Sequence, residues 1–435
     1  MVDASLPYGN RPLRYLFLDL NSYFASVEQQ EQPELRGRPI AVVPVMTDTS
    51  FVIAASYEAK AYGVKTGTRI GDAKVMCPEI ICIQARPPVY AGYHHRCIEV
   101  AETVLPVEEV CSIDEMRFRL LGDEMEPEAA RQIGLRMKEA IYEGVGRCMT
   151  CSIGIAPNGF LAKLGTELQK PDGLVVIEAK DLPQKLHTLK LTDFTGINKR
   201  MQVRLNAAGI FSAEQLCVAS KSELYRAFGS IVGERWWYLL QGFDIPAEKT
   251  EQKTLGHSHV LAPNLRTDQG CRDVLLRLIQ KASARLRANK LCAEGMGISV
   301  TGLEKTWAVK IPLPPTSDTL TMNEAFLKAW EKRDFRRPKA VGVTYYNLSD
   351  EKQVTPSLFD EARDHDLLNK AVDRMNQKFG KNSIYLASIE KSKNRASEKI
   401  AFNKTWLFSE GKGDNEWVDT FRGSKQDAAG DTDEI

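Results

Sequence analysis

Asp19 lies in an apolar run, Tyr15-Leu16-Phe17-Leu18-Asp19-Leu20, and an adjacent acid pair, Asp114 and Glu115, follows Val110-Cys111-Ser112-Ile113 much later in the chain. Carboxylates are expensive to desolvate unless a cation balances them, and oxygen donors gathered from separate segments suit hard divalent ions such as Mg²⁺. Two such ions, about 3.5 to 4 Å apart, clamp the attacking and leaving oxygens of an in-line phosphoryl displacement. One carboxylate bridging two ions, with two others beside it, meets that requirement. A single strand-end aspartate is more often a cap or an ion-pair partner. The second, paired acid segment is what points to metal chemistry.

The elements that must hold these acids can be read from hydrophobic periodicity. Residues 16–20 and 40–43 read as short buried strands with an amphipathic helix at 22–30 between them. Residues 52–55 are small and apolar, and 57–62 reads as helix. Further on, 127–144 has helical spacing, 150–155 is strand and 159–169 is helix. Strands and helices alternating in this way predict a mixed sheet with helices packed on it, and the acids on that sheet. A different texture begins near residue 189. Asp193-Phe194-Thr195-Gly196-Ile197-Asn198-Lys199-Arg200 and the following Leu205 to Ile210 resemble a helix-hairpin-helix. In such a motif a glycine, here Gly196, lets the backbone approach a phosphate, and the helix opened by Lys199 and Arg200 presents free amides to it. Trp236 and Trp237 read as core of this segment. After a polar hinge at 248–253 come a strand at 257–261, a basic helix at 268–289, strands at 297–301 and 307–311, a helix at 323–332 and a strand at 340–346.

Composition sets bounds. The 435 residues are 43% hydrophobic and 26% charged, enough apolar material for several cores. No stretch approaches the roughly 20 apolar residues of a membrane span, and the first 14 residues lack a secretory apolar core, so an intracellular protein is expected. Nine cysteines scattered among apolar neighbours read as reduced core residues. Cys148 and Cys151 have redox or zinc spacing, but no matching pair or histidine cluster completes a site. The formal net charge is only +1, yet residues 253–349 hold 16 Lys and Arg against 8 Asp and Glu, and residues 409–435 hold 3 against 8. The first region could follow a phosphate backbone, although a lysine-rich face is often merely solvated. The second belongs to what reads as a largely disordered acidic tail, residues 391–435.

Several further blocks accompany the acids: Asn21-Ser22-Tyr23-Phe24-Ala25-Ser26-Val27-Glu28, Pro33 to Val42, Ala54 to Val64, and Leu168-Gln169-Lys170-Pro171-Asp172-Gly173. Their order and spacing, from about Tyr15 to about Ile389, resemble the Y-family translesion DNA polymerases of the bacterial polymerase IV and V kind. That resemblance implies an α+β multidomain right hand. The palm, a mixed sheet plus helices, would take 11–21 and 85–176, small fingers 22–84, and a helical thumb with the helix-hairpin-helix 177–247. A linker would take 248–254 and an appended α/β little finger 255–350. Residues 351–390 would carry a clamp-peptide-like segment plus a helix and a strand packed on the little finger.

By the same resemblance Asp19, Asp114 and Glu115, with the backbone carbonyl of Leu20, would hold two Mg²⁺ per active site. Tyr23, Phe24, Tyr57, Lys60 and Lys170 would contact the deoxynucleoside triphosphate. Lys60 stands where the family more often has arginine, which gives up a bidentate fork. Phe24 would be a steric gate against a 2′-hydroxyl, although an aromatic on the inner face of a helix is also what a core requires. Ile53 and Ala54 would form an apolar lid over the nascent pair. Gly196, Lys199, Arg200, Arg277, Lys281, Arg285 and Arg287 are the candidate DNA contacts, and each basic side chain could equally be a solvated face. Gln353, Leu358 and Phe359 resemble the peptide that docks bacterial polymerases on the sliding clamp, with Thr355 where the glutamine usually stands. Implied partners are primer-template DNA, deoxynucleoside triphosphates and the clamp. The implied setting is a monomer in the bacterial cytoplasm near the nucleoid. The expected activity is low-fidelity translesion synthesis without proofreading. A non-catalytic polymerase-fold adaptor and a nucleotidyl cyclase are the alternatives. The first is disfavoured by the three intact acids, the second by the hairpin motif and the basic appended domain.

Overall fold

The computed structural model describes residues 11–246, 253–354, 360–380, 382–390 and 392. They fall into two compact units, one formed by 11–246 and the other by the described residues from 253 onward.

The first unit is organised by Tyr15–Leu20, a strand whose six residues are all buried. It is the middle of a five-stranded sheet in the order Val107–Val110, Glu115–Arg119, Tyr15–Leu20, Cys151–Ala156, Leu174–Val176. All neighbours pair antiparallel except the last two strands, which are parallel, so the sheet is mixed. Side chains alternate between faces along a strand. Leu16, Leu18 and Leu20 enter one core, with Tyr90, Cys97, Met137 and Ile141 of the helices Pro87–Glu102 and Pro127–Gly144. Tyr15 and Phe17 enter another, with Leu161 and Leu164 of the helix Gly159–Leu168 and with Leu205, Leu224 and Trp236 farther along. Asp19 has the parity of Tyr15 and Phe17. The Gly159–Leu168 helix rides very close to the sheet, since a Cβ on Gly154 would come within 2.0 Å of the Ala162 carbonyl oxygen. Glycine there is what allows the close approach.

A small three-stranded sheet of Ala54–Ala55, Ile40–Val43 and Ile81–Gln84 carries its own core of Ala41, Val43, Val52, Ile70 and Cys77. The last part of this unit is helical: Lys199–Ala207, Ala213–Val218, Lys221–Phe228 and Val232–Leu240. Asn198, Ser212 and Ser220 cap the first three by accepting the amides of Met201, Gln215 and Glu223.

The second unit is an antiparallel sheet in the order Trp307–Thr316, Leu291–Lys305, Arg336–Asp350, Thr254–Val260, covered by the helices Asp268–Ala288 and Thr319–Trp330. Two of its strands run 15 residues, far beyond the apolar stretches that mark them in the sequence. The helix predicted at 323–332 starts earlier because Asp318 accepts the amides of Leu320 and Thr321. The helix Asp360–Phe379 follows. The strand expected somewhere in 361–390 is absent among the described residues, and Ala387–Ile389 forms a single 3₁₀ turn. Ile389 is buried in the core of this unit and Ser392 Oγ donates to the Asp273 carbonyl at 2.8 Å, so the segment docks by one turn and does not extend the sheet. All nine cysteines are free, and Cys151 is simply the buried first residue of its strand. Among the described residues no helix is long and apolar enough to cross a membrane.

Candidate active site

The acids converge because of strand register. Asp19 lies directly opposite Glu115 on one neighbouring strand and opposite Ser152 on the other. Asp114 occupies the tight turn just before Glu115, and its carbonyl accepts the amide of Leu20 at 2.8 Å, which pins that turn to the strand end. Ser112 Oγ donates to Asp114 Oδ1 at 2.5 Å. Burial pushes the Asp114 carboxyl up to about 6, reinforced by the neighbouring charges of Asp19 and Glu115 and opposed by Ser112 and Lys163.

Two lysines lie over these acids. Lys163 Nζ contacts Asp19 Oδ2, lies 2.8 Å from Glu115 Oε1 and 3.4 Å from Glu167 Oε1. Lys170 Nζ lies 3.1 Å from Asp19 Oδ2 and 2.8 Å from Glu167 Oε1. Burial alone would depress the Lys163 ammonium, but Asp19 and Glu115 outweigh it and hold the group above its ordinary range. Lys170 behaves alike, with burial opposed by Asp19 and Glu167. Lys60 Nζ donates to Ser22 Oγ at 2.7 Å and sits over the Tyr57 ring at 4.2 Å. Burial and the nearby Lys170 lower its pKa. Ser22 holds a left-handed φ of 49°, a strained conformation at the joint between strand and helix. Asn21 secures the Lys170 turn from below: its Nδ2 donates to Ser152 Oγ at 2.9 Å and its Oδ1 accepts the Asp172 amide at 2.8 Å. Asp19, Asp114, Glu115, Tyr57, Lys60 and Lys170 therefore share one neighbourhood.

Among the described residues no three His, Cys, Asp or Glu side chains are arranged to hold a metal as they stand. Lys163 sits between Asp19 and Glu115, and Asp114 is turned to Ser112. The donor set nonetheless fits Mg²⁺. It consists of carboxylate oxygens from three adjoining positions, two of them already converging on one cation. Nothing in the sequence marks Lys163, since a lysine four residues before a glutamate reads as an ordinary helix-surface pair.

Phe24 is only 4% exposed and stacks on Tyr90 at 4.5 Å between ring centroids. The Tyr90 hydroxyl donates to the fully buried carboxylate of Glu28 at 2.6 Å, and Arg86 binds that carboxylate through Nε and Nη2. The Tyr23 hydroxyl donates to the Tyr90 carbonyl at 2.6 Å. Ile53 is half-buried and Ala54 buried in the short strand beside Val42.

The remaining predicted contacts lie elsewhere. Gly196 has φ 102°, and Lys199 and Arg200 are exposed at the start of their helix. Asn198 is that helix's cap. In the second unit, Arg287 forms a two-pronged ion pair with Asp373 at 2.6 and 2.9 Å and also donates to the Ser317 carbonyl. The guanidinium is thus engaged by the later helix. Arg277 is 8% exposed. Arg277, Lys281 and Arg285 lie near His257, whose imidazole is lowered to about 4 by burial first and by those cations second. Gln353 ends an exposed 3₁₀ turn, and Leu358 and Phe359 lie outside the described residues.

Residues 18–167 match the impB/mucB/samB family and 252–358 its C-terminal domain. DNA polymerase IV of Moorella thermoacetica is 31% identical over 384 residues, covering 86% of this chain and 95% of that protein. DNA polymerase IV 1 of Bacillus subtilis is 27% identical over 413 residues, covering 91% and 97%. Among solved structures, a Y-family chimera of Dbh and Dpo4 superposes with a TM-score of 0.64 at 23% identity, over 78% of this chain and 99% of that one. An insertion ternary complex of Dbh DNA polymerase gives 0.53 at 24%, with the same coverage. These two share the fold described above. Its acid-bearing sheet, its sequence and its relatives together place the chain in the impB/mucB/samB family, the Y-family DNA polymerases.

Proposed function

We propose that this chain is a DNA-directed DNA polymerase that carries out low-fidelity translesion synthesis, joining deoxynucleoside triphosphates to a primer 3′-hydroxyl without proofreading. The observation that carries this reading is the meeting of Asp19, Asp114 and Glu115 at one end of the central sheet, with Lys60, Lys170 and Tyr57 beside them. Asp19, Asp114, Glu115 and the Leu20 carbonyl are the groups that would hold two Mg²⁺, which when bound supply a more acidic primer hydroxyl and neutralise triphosphate charge.

The chain's own residues do the rest. Lys60 and Lys170 offer ammonium donors, and Tyr57 a hydroxyl, to the triphosphate oxygens. Phe24, backed by Tyr90 and Glu28, presents a ring that cannot yield to a 2′-hydroxyl. Ile53 and Ala54 provide a small apolar lid that tests the shape of the nascent pair weakly. In this reading the five-stranded sheet is the palm, the three-stranded sheet with its helices the fingers, residues 177–247 the thumb and the second unit the little finger. Gly196, Lys199, Arg200, Arg277, Lys281 and Arg285 are the candidates for template-duplex phosphates, with Arg287 engaged by Asp373. Gln353 with Leu358 and Phe359 would engage a sliding clamp, and the working form would be a cytoplasmic, nucleoid-associated monomer.

Primer extension on undamaged and abasic templates, by wild type and Glu115→Ala, tests the proposal. Wild type is expected to extend past the lesion and the variant to bind DNA without extending it. Equal blockage of wild type at every lesion would remove the translesion role, and extension by Glu115→Ala would remove the assigned chemistry. Cyclic nucleotide made from triphosphate without DNA would instead favour a cyclase.

A further inference from the structure

Lys163 has no task in the reading above, yet it touches two of the three carboxylates on which that reading depends. Its side chain is 13% exposed and lies 5.3 Å from the Phe17 ring centroid. Its Nζ reaches Asp19 Oδ2 and Glu115 Oε1, which belong to residues directly opposite one another in strand register. An ammonium bonded to both oxygens occupies the position that a divalent ion bridging them would need. The helix that carries it is seated closely on the sheet, where a Cβ on Gly154 would come within 2.0 Å of the Ala162 carbonyl oxygen. One turn farther on, Glu167 offers it a third carboxylate, with Oε1 3.4 Å from Nζ and 2.8 Å from Lys170 Nζ.

We infer that Lys163 is a built-in counter-cation of the active site: it holds Asp19 and Glu115 together in the absence of a divalent ion and yields them to the ion by swinging onto Glu167. This inference rests on the metal-site reading under Proposed function. Lys163 is thus a positioning residue, acting through the carboxylates it holds. Like charges brought side by side repel, so the apposition of Asp19 and Glu115 across the strand pair needs a resident cation. The same cation makes ion uptake a competition.

The test is Mn²⁺ binding to the full-length protein at pH 8, without DNA or nucleotide, followed by the resonance of free Mn²⁺ and corrected for uptake that survives in Asp19→Asn. Lys163→Met should bind Mn²⁺ more tightly than wild type, by about tenfold or more, equivalent to about 1.4 kcal/mol. In a chelating buffer it should also unfold at lower denaturant. Glu167→Gln, which removes the receiving carboxylate, should bind Mn²⁺ more weakly. Unchanged or weaker binding by Lys163→Met would overturn the inference while leaving the metal site standing. No Asp19-dependent uptake by wild type would overturn both. A measurement on unaltered protein guards against misfolding of the variant. Amine acetylation read by mass spectrometry should rise several-fold at Lys163 when Mn²⁺ is added to wild type, and equal labelling with and without Mn²⁺ would overturn the inference.

Discussion

Replacing Asp114 with asparagine should stabilise the protein while ending its chemistry. The carboxyl of Asp114 is moved from 3.8 to about 6, mainly by burial, so its ionisation opposes folding. Each pKa unit corresponds to about 1.36 kcal/mol, so the penalty in wild type at neutral pH is about 3 kcal/mol. The sign follows from linkage. Below the unfolded value both states hold the proton and there is no penalty. As pH rises from 3.8 to 6 the unfolded chain ionises first, and above 6 the penalty is full. Asparagine never ionises, keeps an oxygen for Ser112 Oγ and has nearly the same volume. In denaturant titrations with a chelator present, Asp114→Asn should therefore be about 2 to 3 kcal/mol more stable than wild type at pH 8, with a gap that closes towards pH 4. Such a gain at the expense of activity is expected where a site is built for chemistry and not for stability. A variant less stable than wild type at pH 8, or a gap independent of pH, would refute the reasoning.

Other outcomes follow from the same geometry. Asp373→Ala leaves the Arg287 guanidinium, 10% exposed, without its carboxylate, and should destabilise the second unit by about 2 kcal/mol once the partial exposure of Asp373 is allowed for. Arg287→Ala should leave the salt slope of DNA binding unchanged, and a slope reduced by about one would restore Arg287 as a phosphate contact. His257 is lowered from 6.5 to about 4, so it favours the native state above pH 6.5 and loses that contribution as pH falls through 4, about 3 kcal/mol in all. His257→Gln should flatten that part of the stability profile, and an unaltered profile would contradict the assignment. Phe24→Ala should incorporate ribonucleotides more readily in single-nucleotide insertion assays, and unchanged discrimination would return Phe24 to a purely structural role.

Much of the site was legible because it violates local expectation. An aspartate in a strand otherwise made of Tyr, Leu and Phe, and two acids in succession where the strand Glu115–Arg119 begins, stand out against their surroundings. The strand that carries Asp19 was equally plain, whereas the short strand that begins at Glu115, with two arginines among its five residues, was not read as one. What stayed hidden depends on partners remote in sequence. Lys163 looks like half of an i,i+4 pair with Glu167, and only the close seating of its helix on Gly154 directs it to Asp19. The helix Asp268–Ala288 is basic in either reading, and only the fold reveals that Arg287 meets Asp373 in a later helix. The ends of the long strands were obscured by Gly295, Gly302 and Pro312, which break the apolar alternation while the ladder continues through them. In place of the strand expected within 361–390, Ile389 is buried by a single turn.

The central claim is that Asp19, Asp114 and Glu115 share divalent ions beside a bound nucleotide. Crystals with primer-template, an unreactive deoxynucleoside triphosphate analogue and Mn²⁺, measured at the manganese absorption edge, test it most directly. The account predicts anomalous peaks about 2.1 Å from carboxylate oxygens of all three residues. Peaks elsewhere, with those carboxylates bound only to lysine, would contradict it.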